Sequence, residues 1–119
     1  MANTYAANFG DVVKHAVLCE VIVRERPRRY LESHGGRLSY ELADLVPGPG
    51  GVWDFLEVAS DHDVLNGSAY AESVRREAGT RYDPGIYPGS IALAAQRLPA
   101  ASDVVAFELV PASATELSE

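Results

Sequence analysis

The chain has 119 residues, of which 47% are hydrophobic, with one cysteine and a formal net charge of −7. That is enough apolar material for one small domain with a core, which excludes a disordered tail. The single Cys19 excludes a disulfide framework and a cysteine zinc cluster, and no apolar run is long enough to cross a bilayer.

The charge is uneven. Residues 1–37 carry six bases against four acids, and the remainder carries four bases against thirteen acids. An acidic chain is a poor generic binder of nucleic acid, because phosphate contacts supply most non-specific affinity. Any RNA contact is therefore expected on the basic N-terminal face. Arg24, Arg26, Arg28 and Arg29 read equally well as a solvated helix end whose charges suit the C-terminal dipole. Met1-Ala2-Asn3-Thr4-Tyr5 has no basic stretch followed by an apolar one, so no secretory signal is expected. A cytoplasmic protein with a buried free thiol is the simplest expectation.

Residues 1–10 look irregular. Gly10-Asp11 opens a helix, with the acid near its N-terminus. Val13, Val17 and Val21, with Ala16 and Cys19 beside them, predict its apolar stripe as far as Glu25. Arg26-Pro27 ends it. Arg29 to Ser33 reads as the first strand, and Ser33-His34-Gly35-Gly36 as the loop after it. Glycines there form either a plain turn or a place where a ligand meets backbone N–H groups with no Cβ in the way.

Ser39 to Leu45 is predicted as a short helix. Pro47-Gly48-Pro49-Gly50-Gly51 is a linker, since it lacks the lysine and hydroxyl of a phosphate-binding loop. Val52 to Ala59 reads as a helix. Asp61-His62-Asp63 reads as a solvated turn with no further ligand at metal-binding spacing, so no metal is expected. Ser68 to Ala78 is a helix with Tyr70 and Val74 on its apolar side. Residues 46–86 are thus expected to be a small helical insertion. Asp83 to Ser90 is dense in turn formers and leads into a helix from Ile91 to Leu98. Asp103 to Leu109 is the clearest strand. Its run Val104, Val105, Ala106 and Phe107 is expected of a strand buried on both faces of a parallel sheet.

Two strands, each reaching an acid, bracket these helices: Glu32 after the first and Glu108 in the second. In nucleotide-binding α/β sheets the ligand lies beyond the strands' carboxyl ends. A carboxylate there can accept from both ribose hydroxyls of an adenosine cofactor. The usual interval from glycine loop to acid is about twenty residues. Here it is about seventy, as an insertion at 46–86 would require. Glu108 as a solvated strand-end acid is the alternative. His15 is either a helix-surface histidine or one that bonds a cofactor, and no serine lies in a Gly-x-Ser-x-Gly elbow to make a hydrolase triad.

Four segments resemble one family. Asn8-Phe9-Gly10-Asp11-Val12-Val13-Lys14-His15 is similar to the opening Asn-x-x-Asp-Val-x-Lys-His of the RlmJ-type 23S ribosomal RNA adenine-N6 methyltransferases. Tyr30-Leu31-Glu32-Ser33-His34-Gly35-Gly36 resembles that family's Tyr-x-Asp-Thr-His-Ala-Gly-Ala-Gly loop. Tyr87-Pro88-Gly89-Ser90 matches its Tyr-Pro-Gly-Ser, and Phe107-Glu108-Leu109-Val110-Pro111 is similar to its Glu-Leu-His-Pro strand end. The segments occur in the family's order and span nearly the whole chain.

The resemblance implies an α/β, Rossmann-like fold that binds S-adenosylmethionine, incomplete over residues 1–119 and carrying the helical insertion. It implies cofactor contacts from His15, His34, Ser90 and Glu108, with Lys14 close by toward the substrate, and ribosomal RNA as partner. The sequence departs from the family at Glu32, where the family has Asp, and at Arg37-Leu38, where small residues are expected. The larger side chains there are expected to narrow the methionine pocket.

Enzymes of this type also use an Asp/Asn-Pro-Pro-Tyr motif that holds the target amine and stacks on a flipped base. No such motif occurs in these 119 residues, and Asp83-Pro84-Gly85-Ile86-Tyr87 reads as a turn. The chain is expected to be the cofactor-binding part of such an enzyme, inactive alone and completed by a missing C-terminal half. The alternative is a non-catalytic binding or interaction module on the same scaffold.

Overall fold

The computed structural model describes residues 6–32, 36–100 and 102–106. They form an α/β arrangement of mixed helices and two short sheets. Helix α1 spans Phe9–Glu25. Its start is a reciprocal cap: the Asn8 side chain accepts from the Asp11 N–H, and Asp11 Oδ2 accepts from the Ala7 N–H at 2.8 Å. Two amides that the helix cannot satisfy are thereby paired. At the other end Arg26 turns left-handed (φ 47°) and its N–H bonds the Ile22 carbonyl. Pro27 then prevents any continuation.

The buried side of α1 is Val12, His15, Cys19 and Ile22, not the predicted valine stripe. Val13, Val17 and Val21 are all exposed, Val17 by 60%. The reason is geometric. Steps of four drift about 40° round a helix each time, whereas alternating steps of three and four hold one face.

Strand β1 is Arg29–Glu32. The stretch predicted as a helix from Ser39 is instead strand β2, Ser39–Glu41, followed by a 3-10 turn at Leu42–Asp44. β2 pairs antiparallel with β3, Ile86–Pro88, so that Tyr40 faces Tyr87. Seven residues are too few to sustain an isolated helix, and the long-range pairing decides the outcome. β3 itself lies inside the segment that reads as turns.

Helices α2 (Val52–Ala59) and α4 (Ala69–Ala78) fall where the pattern predicts, with a one-turn helix α3 (Asp63–Asn66) between them. His62 precedes α3 and Asp63 begins it. α5 spans Ser90–Arg97 and β4 spans Asp103–Ala106.

Three helices thus fall in 46–86, and α4 packs against α1, β3 and α5. One apolar core includes Val12 and Cys19 of α1, Val52 of α2, Tyr70 and Val74 of α4, Tyr87 of β3 and Leu93 of α5. The apolar side of 46–86 is therefore continuous with the main core. Polar ties reinforce it: Glu20 Oε1 accepts from the Ala69 N–H at the start of α4, and Arg97 donates to Ser73 Oγ and the Ala69 carbonyl.

β4 pairs in parallel with β1, in the register Arg29 with Asp103 through Glu32 with Ala106. Val104 and Val105, expected to be buried on both faces, are 44% and 36% exposed. The cause is the width of the sheet, which among the described residues has two strands.

Candidate functional site

β1 and β4 run in the same direction with Glu32 beside Ala106. The carboxyl ends of the two strands therefore lie side by side. His34 and Glu108 lie outside the described residues, so their side chains have no place in the geometry that follows.

The chain re-emerges from the first loop at Gly36, whose φ of 64° is left-handed. A Cβ there would meet Tyr40 Oη at 2.8 Å, so both backbone conformation and space favour glycine. Arg37 N–H donates to the same Tyr40 hydroxyl. The Gly89 N–H donates to the Leu38 carbonyl at 2.8 Å, and a Cβ on Gly89 would come within 2.1 Å of the Arg37 carbonyl oxygen. The N-terminus of α5, with Ser90 nearly buried, is thus fastened to the segment that follows the first loop. No side chain caps α5, and a helix N-terminus carries partial positive charge. A left-handed glycine, a helix start that no side chain caps and the Ser90 hydroxyl thus lie around the β2–β3 pair.

His15 sits elsewhere in this geometry. It is 3% exposed, and its Nδ1 lies 2.8 Å from Tyr87 Oη, with the two rings stacked at 5.9 Å. Tyr87 Oη in turn lies 2.9 Å from Tyr70 Oη. Burial pushes the imidazole down to about 4, with Lys14 adding to the shift and Asp11 opposing it. The ring is therefore neutral at pH 7. Burial also raises both tyrosine hydroxyls. Among the described residues no buried side-chain polar atom lacks a partner. This buried chain of three side chains was not visible as such in the sequence. Tyr87 was marked by its motif, but nothing in periodicity pairs it with a residue 72 positions away.

Lys14, next to His15 in sequence, points to another side. Its side chain is 67% exposed and lies 3.7 Å from Asp11. Glu32 accepts a hydrogen bond from the Tyr30 hydroxyl. Burial and this acceptor hold Tyr30 protonated, well above its usual range. Arg28 and Arg29 stand at the N-terminal end of β1, opposite the end where the loops leave.

Three cavities of about 350, 300 and 220 Å³ are lined by described residues of α2 and its neighbours, and none includes His15, Tyr87 or Ser90. No group of three potential metal ligands converges among the described residues. No helix among them is long and apolar enough to cross a membrane.

No family model and no curated protein matches the sequence. Among solved structures, the chain is similar to a Legionella pneumophila (strain Philadelphia 1) protein of family DUF519. The identity is 26% and the TM-score 0.80, over 96% of this chain and 44% of that one. The chain therefore spans less than half the length of that relative.

Proposed function

We propose that the chain is the cofactor-binding part of a Rossmann-like, S-adenosylmethionine-dependent methyltransferase, similar to RlmJ-type enzymes that modify adenine N6 in 23S ribosomal RNA. The observation that carries this reading is the parallel β1–β4 pair, with its carboxyl ends level and the α5 N-terminus hydrogen-bonded to the segment after the first loop. Open α/β sheets bind nucleotides at such an end. In this reading Glu108 holds the ribose hydroxyls, and His34 and Ser90 line the same end of the sheet. Tyr87 fixes His15 from behind. Lys14, exposed on another side of α1, meets the substrate.

Calorimetric titration with S-adenosylmethionine of a version completed by a C-terminal half tests it. Saturable binding is expected, and Glu108→Ala weakens it by about 1.5–3 kcal/mol, the range for a hydrogen bond to a charged group. Unchanged affinity in a folded variant removes Glu108 from the site, and absence of binding removes the reading.

The second reading is a non-catalytic binding module on the same scaffold. It is favoured by His15, which is buried with its Nδ1 already engaged. Orientation of the reactants accounts for about 7–11 kcal/mol of such a barrier, and nothing in this sequence orients an adenine amine. The expected result is no transfer of labelled methyl groups to unmodified ribosomal RNA by residues 1–119. Transfer that appears once a polypeptide with the Asp/Asn-Pro-Pro-Tyr motif is joined supports the enzyme, and its continued absence supports the module.

A further inference from the structure

The cavity of about 350 Å³ opens between α2 and the turn that follows α4. Trp53, Leu56, Glu57 and Ser60 line its α2 side. Their spacing by three and four residues places them on one face of the helix. The opposite side is a fixed turn. Thr80 and Asp83 exchange both backbone hydrogen bonds, and the Thr80 hydroxyl also accepts from the Asp83 N–H. Gly79, with a φ of 70°, bridges to Pro84 just outside it. Arg81 and Tyr82 form the tip, and both line the cavity. Arg81 Nη2 donates to Asp54 Oδ1 at 3.2 Å and to Glu57 Oε1 at 3.1 Å, which ties the turn to α2. Tyr82 stands at the rim, 93% exposed.

Two carboxylates thus share one guanidinium, which leaves one negative charge in excess at the mouth. The Gly50 N–H and then Arg81 hold the Asp54 carboxyl below its usual range, so it is ionised at neutral pH. Residues 46–86 as a whole carry seven acids against three bases. The walls beside that charge include an indole and a phenol, whose ring faces attract cations. An anion meets the reverse, because the guanidinium that lines the cavity already has two acidic partners.

We propose that this cavity binds an organic cation, a quaternary ammonium or guanidinium group, against Trp53 and Tyr82 with Glu57 as its counter-ion. The space suits such a group, since pockets for small ligands begin at roughly 300 Å³. A free small molecule and a basic side chain of a polypeptide present the same chemistry, and the probes below separate them. The cavity does not include His15, Tyr87 or Ser90, so a failure here leaves the methyltransferase reading standing.

Trp53 is the chain's one tryptophan, so its emission reads the site directly, and calorimetry repeats each titration. The 119-residue chain is titrated at one ionic strength with four probes. They are choline, its neutral isostere with a tert-butyl group in place of the trimethylammonium, the capped tripeptide Gly-Arg-Gly, and adenosine monophosphate. Saturable binding is expected with choline and the peptide, and the tighter of the two identifies the source. The isostere and the nucleotide are expected to bind about fivefold more weakly or not at all. Tyr82→Ala and Glu57→Gln, both at exposed side chains, each weaken cation binding by about threefold or more. Arg81→Gln adds to the excess negative charge and tightens it by about threefold or more. Should Arg81→Gln fail to fold by circular dichroism, Glu57→Asp replaces it as the charge test and is expected to retain the binding that Glu57→Gln loses. An isostere that binds as tightly as choline marks a plain apolar cleft and overturns the proposal. Adenosine monophosphate binding more tightly than either cation marks a nucleotide site and also overturns it. So do weaker binding in a folded Arg81→Gln, binding that Tyr82→Ala and Glu57→Gln leave unchanged, and no saturable signal with either cation by both methods.

Discussion

His15 is held neutral by burial, and that has a measurable cost in acid. The unfolded chain takes up a proton near 6.5, whereas the folded chain resists it until about 4. Between those values the unfolded state binds more protons, so stability falls as pH drops through this window, and the effect is complete below about 4. At about 1.4 kcal/mol per unit, the full loss is on the order of 3–4 kcal/mol. Urea titrations from pH 7 to pH 4 should show this decline, and His15→Asn, which does not titrate there, should flatten it relative to the parent. Tyr87→Phe takes away the partner of His15 Nδ1 and should cost about 1–3 kcal/mol, the penalty for a buried polar group left unpaired. A change within error in the midpoint would show that another group satisfies the ring. The motifs marked His15, Tyr87 and Ser90 as residues of interest. They did not show that His15 faces inward, because a histidine flanked by Val13 and Val17 looks like part of a polar face when only side-chain hydropathy is read.

Gly89 joins two elements that are far apart in sequence. Its Cα faces the Arg37 carbonyl, where a methyl group would sit 2.1 Å from the oxygen. Gly89→Ala must therefore push α5 away from the segment 36–38 or break the bond to Leu38. Overpacking of this kind costs typically about 1–3 kcal/mol, so thermal unfolding should occur several degrees lower. An unchanged melting temperature would mean that the contact relaxes freely. Helices α2, α4 and α5 were legible because each carries a compact apolar pattern and a clear start, such as Ser68, whose hydroxyl caps α4. β2 and β3 were not. Each has three residues, and a pairing between Tyr40 and Tyr87 is decided by packing across the chain, which local propensity does not encode. β1 and β4 were legible as strands, but their exposure was not, because an apolar run says what a strand needs and not whether it is supplied.

Across the molecule, cover is unequal. The helices and the β2–β3 pair share the core, whereas β1 and β4 contribute none of its fully buried side chains among the described residues. Regions with few buried apolar contacts open locally before the rest. Hydrogen exchange on the isolated chain should therefore be roughly tenfold or more faster at 29–32 and 103–106 than in the middle of α1 and α4. Equal rates would show that the sheet and helices unfold as one unit. The chain's one tryptophan, Trp53, stands on α2 against the helical core. Its emission is consequently a witness with a single viewpoint. A fluorescence melt will follow the helices and stay silent while the sheet frays, so a sharp optical transition in this protein would not certify that the whole chain was folded beforehand.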